Sequence, residues 1–128
     1  MEFDRERFEA GFMAEADELL LMLAQGLAAL RSTQGGGPLL GDMARAAHTL
    51  RGSSTMMGYA AAAGMARLME LFLDRAWTGG MAMGDAQLDL LSECLQSFRA
   101  SLDRGAGAPG RADELSERAE KLFAAGAP

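Results

Sequence analysis

The sequence predicts an all-α fold, an up-and-down four-helix bundle with an additional short C-terminal fifth helix. Three observations predict it. The 128 residues include no valine or isoleucine, so side chains that favour strands are nearly absent. Glycine and proline gather in STQGGGP (32–38), around Gly58, in TGGMAMGD (78–85) and in RGAGAPG (104–110), which divides the chain into five segments. Within those segments apolar residues recur at spacings of three, four or seven, the period of an amphipathic helix.

The first segment, about 4–32, carries Phe8, Phe12, Leu19, Leu23, Leu27 and Leu30 on one stripe and is long enough to span a bundle. Segments two and three, about 39–57 and 60–77, are joined by almost nothing, which predicts an antiparallel hairpin turning near Gly58. The fourth, about 85–103, places Leu88, Leu91, Leu95, Phe98 and Leu102 on its stripe after Asp85 as its N-cap. The fifth, about 111–124, has only Leu115, Ala119 and Leu122, as expected of a short accessory helix packed outside the bundle. The chain therefore reads as one domain, 1–128, with a bundle over about 4–103, a linker over 104–110 and an accessory helix after it.

A single cysteine, Cys94, cannot form an intrachain disulfide and reads as a small apolar helix residue, consistent with a reducing, cytoplasmic compartment. No run approaches the roughly 18 to 20 apolar residues of a membrane span, and the charged start MEFDRERFEA is unlike a signal peptide. Eighteen acidic against twelve basic residues give a net charge of -6 and disfavour nucleic acid or an anionic membrane as partner. A protein partner is expected.

The stretch ARAAHTLRGSSTMMGY, residues 44–59, holds the one histidine. On a helical wheel Met43, Ala47, Leu50, Ser54 and Met57 fall within about 80° of one another and form the core face. His48 lies roughly 120 to 140° from the centre of that face, with Ala44, Gly52 and Thr55 around it and Arg51 beside it. The small residues Ala44, Gly52, Ser53 and Ser54 leave the helix bare around the ring, as close approach by a second protein requires. Gly52 costs about 1 kcal/mol relative to alanine in a helix interior, a cost to be offset either by tight helix packing or, given its outward position one turn after His48, by clearing access to the imidazole. Arg51, one turn on, is either a solvated surface charge or, at i+3 from His48, a group that could hold a phosphoryl group on the ring by charge-assisted hydrogen bonds.

Segment three supplies a carboxylate. With Met65, Met69, Phe72 and Ala76 facing the core, Glu70 lies on the flank near Arg67 and Asp74. His48 precedes Gly58 by ten residues and Glu70 follows it by twelve, so the two stand at similar heights on facing helices. Glu70 is then either a plain surface carboxylate or a base that orients His48, in which case it fixes one imidazole tautomer and raises its basicity.

AHTLRGSSTMMGY resembles the histidine phosphotransfer signature, a histidine followed at i+3 by lysine or arginine, then Gly-Ser-Ser and a glycine at the helix end. With LMELFLD on the next segment, the chain is more specifically similar to the N-terminal phosphotransfer (P1) domain of CheA-type chemotaxis sensor kinases. The resemblance implies that Nε2 of His48 accepts the γ-phosphoryl group of ATP from a histidine kinase catalytic domain. It implies that the group then passes to an aspartate of a CheY-type response-regulator receiver domain, with Arg51 neutralising phosphoryl charge and Glu70 bonding Nδ1-H. The chain itself would bind no cofactor, Mg-ATP being used by the kinase and Mg by the receiver. Ala44, Gly52, Thr55 and Met56 are the expected docking residues, and Arg67 stands where such domains often have a second histidine. No Gly-x-x-x-x-Gly-Lys-Ser/Thr loop is present, so the chain alone is not expected to phosphorylate itself. The alternative from the residues themselves is a helical docking or adaptor domain with an incidental surface histidine. A metalloenzyme is poorly supported, with one His and one Cys in different segments.

Overall fold

The computed structural model describes residues 4–32 and 36–125. Within them lie five helices, α1 (Arg5–Ser32), α2 (Gly37–Met57), α3 (Ala60–Trp77), α4 (Asp85–Arg104) and α5 (Ala112–Ala125), and no strand among the described residues. The first four form an antiparallel up-and-down bundle in which α1 packs on α2 and α4, and α3 packs on α2 and α4. Helix α5 lies outside against α3 and α4.

Local chemistry sets the ends. Asp4 accepts the backbone N-H of Arg7 at 3.1 Å and opens α1. Helix α2 begins at Gly37, two residues earlier than the sequence predicts, because Pro38 is accommodated in the first turn, where its missing N-H has no intrahelical partner to lose. Its far end is fixed by Gly58, left-handed at φ 84°, whose N-H bonds Thr55 O while Tyr59 N-H bonds Ser54 O. This double closure turns the chain directly into α3. Asp85 is not the cap of α4: the cap is Gly84, whose N-H donates to Gln87 Oε1 at 3.1 Å, leaving Asp85 in the first turn.

Phe72, Phe98, Leu23, Leu50, Met65 and Leu91 fill the core, each contributing about 1.5 to 3 kcal/mol by leaving water. The predicted stripes hold in α2 and largely in α3 and α4, with Ala76 and Leu95 partly buried at the edges. In α1 the stripe is displaced: Phe12, Ala16, Leu20, Leu23, Leu27 and Leu30 are buried, Leu19 is partly buried, and Phe8 is exposed. At 28 residues α1 outlasts partners of 18 to 21 residues, so its first turns project past them. Tyr59 stacks on Phe12 where contact with the bundle begins.

Helix α5 is anchored by Leu115 and Ala119, and Phe123 stacks on Phe72 with Arg75 over its ring. Arg111 and Arg118 both reach Glu93 of α4. Hydrogen bonding from Arg118, followed by that from Arg111, outweighs desolvation and holds the Glu93 carboxyl below its ordinary range.

Candidate functional site

The tight turn at Gly58 sets α2 and α3 side by side and brings residues 22 apart in the chain into contact. His48 Nδ1 stands 2.9 Å from Glu70 Oε1. The other carboxylate oxygen accepts Arg51 Nε-H at 2.7 Å, and Arg51 Nη2 lies 3.2 Å from the same imidazole nitrogen. His48, Arg51 and Glu70 therefore form one connected cluster on the α2/α3 seam.

The carboxylate decides the tautomer. A lone pair on Nδ1 would face an anionic oxygen at 2.9 Å, so the proton sits on Nδ1 and is donated to Glu70. Nε2 then carries the free lone pair. Arg51 Nε-H and His48 Nδ1-H are then the two donors that converge on the carboxylate, and Arg51 Nη2, itself a donor, lies beside Nδ1-H without being its partner. The His48 side chain is 65 % exposed whereas that of Glu70 is 17 % exposed, so the ring is presented and its partner is recessed. Partial burial works to raise the Glu70 pKa, but the hydrogen bonds from Arg51 and His48 and their charges together outweigh it and leave the carboxyl below its ordinary value.

Around the ring, the expected docking residues divide. Gly52, Thr55 and Met56 are exposed on α2, with Met56 83 % exposed. A Cβ built on Gly52 would meet nothing within 4 Å, so no packing demand requires glycine there. Thr55 turns its hydroxyl back to Arg51 O at 2.8 Å. Ala44 departs from the expectation: it is buried, because α3 covers the flank of α2 on which it lies and widens the buried arc beyond the Met43–Met57 face. Ser54 likewise belongs wholly to the core and bares no surface near the ring. Arg67 is exposed, one turn before Glu70.

Other residues gather here that sequence reasoning did not single out. An open groove of about 350 Å³ runs along the α2/α3 seam from His48 and Glu70, past Arg45, Asp42 and Asp74, to Trp77. A Cβ on Gly41 would come within 3.2 Å of the indole, so this glycine lets the Trp77 ring lie against the α2 backbone. A glycine inside the second turn of the helix, past its Gly-Gly-Gly-Pro start, is the one sequence signal that pointed to this contact. On the opposite flank Ser53 donates to Glu15 of α1 at 3.0 Å, tying a third helix to the neighbourhood of the site. Among the described residues no group of three or more His, Cys, Asp or Glu could hold a metal ion, and no helix is long and apolar enough to cross a membrane.

Comparison with known proteins places these features in context. The model of the Hpt domain family matches residues 10–101, more than half of the chain. Over 125 residues, 97 % of this chain, the sequence is 33 % identical to the chemotaxis protein CheA of Bacillus subtilis (strain 168). It is 30 % identical over 103 residues, 80 % of this chain, to the chemotaxis protein CheA of Listeria monocytogenes. The chain spans only 18 % and 17 % of those two proteins. Among solved structures, the phosphorylated P1 domain of CheA3 in complex with CheY6 from R. sphaeroides matches with a TM-score of 0.81 at 19 % identity, covering 93 % of this chain and 97 % of that one.

Proposed function

Because the chain belongs to the Hpt domain family, we propose that it is the phosphotransfer domain of a chemotaxis-type two-component system and that His48 is its phosphoacceptor. One observation carries this reading: an exposed imidazole whose Nδ1 is held by a recessed carboxylate and whose Nε2 lone pair is free. An adaptor with an incidental surface histidine has no use for that pairing.

In the first step the Nε2 lone pair attacks the γ-phosphorus of Mg-ATP held by a histidine kinase catalytic domain. The Nε2–P bond forms, the P–O bond to the β-phosphate breaks, and ADP leaves with that electron pair. Positive charge builds on the ring, and Glu70, beside Nδ1-H, stabilises it. In the second step a carboxylate oxygen of a CheY-type receiver attacks the phosphorus, with Mg on the receiver side, and the N–P electron pair returns to Nε2. Arg51 engages Glu70 and fixes the carboxylate, and its charge favours the anionic phosphoryl group nearby. Each partner reaches Nε2 over the α2 surface at Gly52, Thr55 and Met56, with Ala44 forming part of the groove wall beneath. The relatives support the setting: the curated ones are chemotaxis proteins, and the solved neighbour is a phosphorylated domain bound to CheY6.

The test is incubation with a CheA-type catalytic domain and radiolabelled Mg-ATP, followed by a receiver. Acid-labile, base-stable label that disappears in His48→Gln and moves to the receiver is expected. Label that persists in His48→Gln, or that resists mild acid, overturns the reading.

A further inference from the structure

A phosphoryl group on Nε2 arrives in a place already crowded with negative charge. Asp42, Glu70 and Asp74 all line the groove at His48. Arg51, the cation one turn after the histidine, commits its Nε to Glu70 at 2.7 Å and turns its nearer amino group toward Nδ1. Its contacts are with Glu70 and Nδ1 and none is with Nε2, the nitrogen that receives phosphorus. The ring is held to Glu70 of α3 through Nδ1, which leaves Nε2 as the nitrogen that α3 does not engage. Side chains on a helix lean toward its N-terminus, so His48 leans over the turn that precedes it.

The cation in that turn is Arg45, three residues before His48, and it is the one cationic side chain lining the groove. Its partner is Asp42, at 2.7 Å, with the two side chains 81 % and 54 % exposed. An exposed i,i+3 pair of this kind is held weakly, whereas a phosphoryl group offers more charge and three acceptor oxygens.

We propose that Arg45 is the phosphoryl-binding residue of the phosphorylated domain, leaving Asp42 to bond the group on Nε2, while Arg51 serves the Glu70 carboxylate. The assignment rests on His48 being the phosphoacceptor. It divides two tasks between two arginines: Arg51 maintains the resting tautomer by anchoring Glu70, and Arg45 offsets the charge that Asp42, Glu70 and Asp74 would otherwise repel. Release to the receiver then returns Arg45 to Asp42.

The test needs no kinase. The full chain is phosphorylated with potassium phosphoramidate, a small donor that modifies histidine directly, and the phosphohistidine resonance is followed by 31P NMR as pH is varied. Removing a cation bonded to the phosphoryl group favours its protonated form, so Arg45→Gln should raise the second phosphoryl pKa by about half to one unit. Arg45→Lys should restore most of the wild-type value, and Arg51→Gln should move it less than Arg45→Gln does. Glutamine is a good helix former at this exposed position, so the fold is retained. A phosphohistidine in Arg45→Gln that titrates with wild type, or a larger shift in Arg51→Gln, overturns the assignment while leaving His48 as phosphoacceptor.

Discussion

Oε1 of Glu70 stands 2.9 Å from Nδ1 of His48, although 22 residues separate the two in the chain. The pairing is a product of the hairpin. Gly58, in a left-handed conformation that other residues adopt at a cost, closes α2 and starts α3 within two residues, and equal rise along both helices brings the two side chains to one height.

Removing that carboxylate should separate chemistry from stability. Glu70→Ala is expected to slow phosphorylation of His48 by about 10- to 100-fold, the range typical of carboxylates that orient metal-bound histidines. Nothing then holds the proton on Nδ1, and 15N NMR of the ring should show the Nε2-H tautomer gaining population. Stability should fall by only about 1 kcal/mol or less, since Arg51 and His48 are left facing water. The pH dependence has a defined sign: the Glu70 pKa is lowered by folding, so its contribution is present above the unfolded value near 4.5 and is lost as pH falls through the lower folded value. The melting temperatures of wild type and Glu70→Gln should accordingly converge as pH drops below about 4.5, a comparison that thermal melts at several pH values make directly.

How much of this was legible follows from the kinds of residue involved. The apolar stripes carry strong periodicity and the Gly/Pro-rich breaks separate them, so four bundle helices and a fifth could be read from spacing and punctuation together, and counting from Gly58 set His48 and Glu70 at one level. Ala44 could not be placed, because alanine tolerates either environment and the wheel does not say how far α3 overlaps the flank of α2. Phe8 misled for the opposite reason: its apolarity is plain, but the length by which α1 exceeds its neighbours is a property of the assembled bundle. The Gly41–Trp77 contact depends on side-chain placement in the seam between helices, which no single-helix pattern encodes, whereas the Asp42–Arg45 pair has the i,i+3 spacing of a single helix and only its place beside the groove was hidden.

Cys94 should be chemically silent in the folded protein. It is fully buried in α4, and burial, with a smaller contribution from the nearby Glu93 charge, pushes its thiol pKa up to about 12. The reactive thiolate is then almost absent at neutral pH. Ellman's reagent is expected to titrate the thiol only as the protein unfolds in guanidinium. Rapid modification under native conditions would show that α4 opens locally.

Ser54→Ala should stabilise the protein. The hydroxyl of Ser54 is wholly buried and has no hydrogen-bond partner in the structure, so its desolvation is uncompensated. Groups left unpaired in this way cost about 1 to 3 kcal/mol, and alanine keeps the shape of the site apart from one oxygen while improving helix propensity. A gain of about 1 kcal/mol in urea denaturation with an unchanged m-value is expected. A loss would mean that the hydroxyl is satisfied in solution.

Gly52→Gln tests whether the bare surface beside His48 exists for access. The added Cβ meets nothing within 4 Å, and glutamine is favoured over glycine in a helix by roughly 0.5 to 1 kcal/mol, so the variant should melt at or slightly above the wild-type temperature. Its side chain, however, stands one turn after His48 on the exposed face proposed above as the approach of the kinase and the receiver. Phosphoramidate, which needs little room, should still phosphorylate His48 at close to the wild-type rate, whereas transfer from the phosphorylated domain to a receiver should fall by about tenfold or more, equivalent to about 1.4 kcal/mol of lost docking or transition-state stabilisation. The contrast between the small donor and the protein partner isolates access from reactivity. Unimpaired transfer to the receiver would place the docking surface elsewhere and leave Gly52 without a role in it.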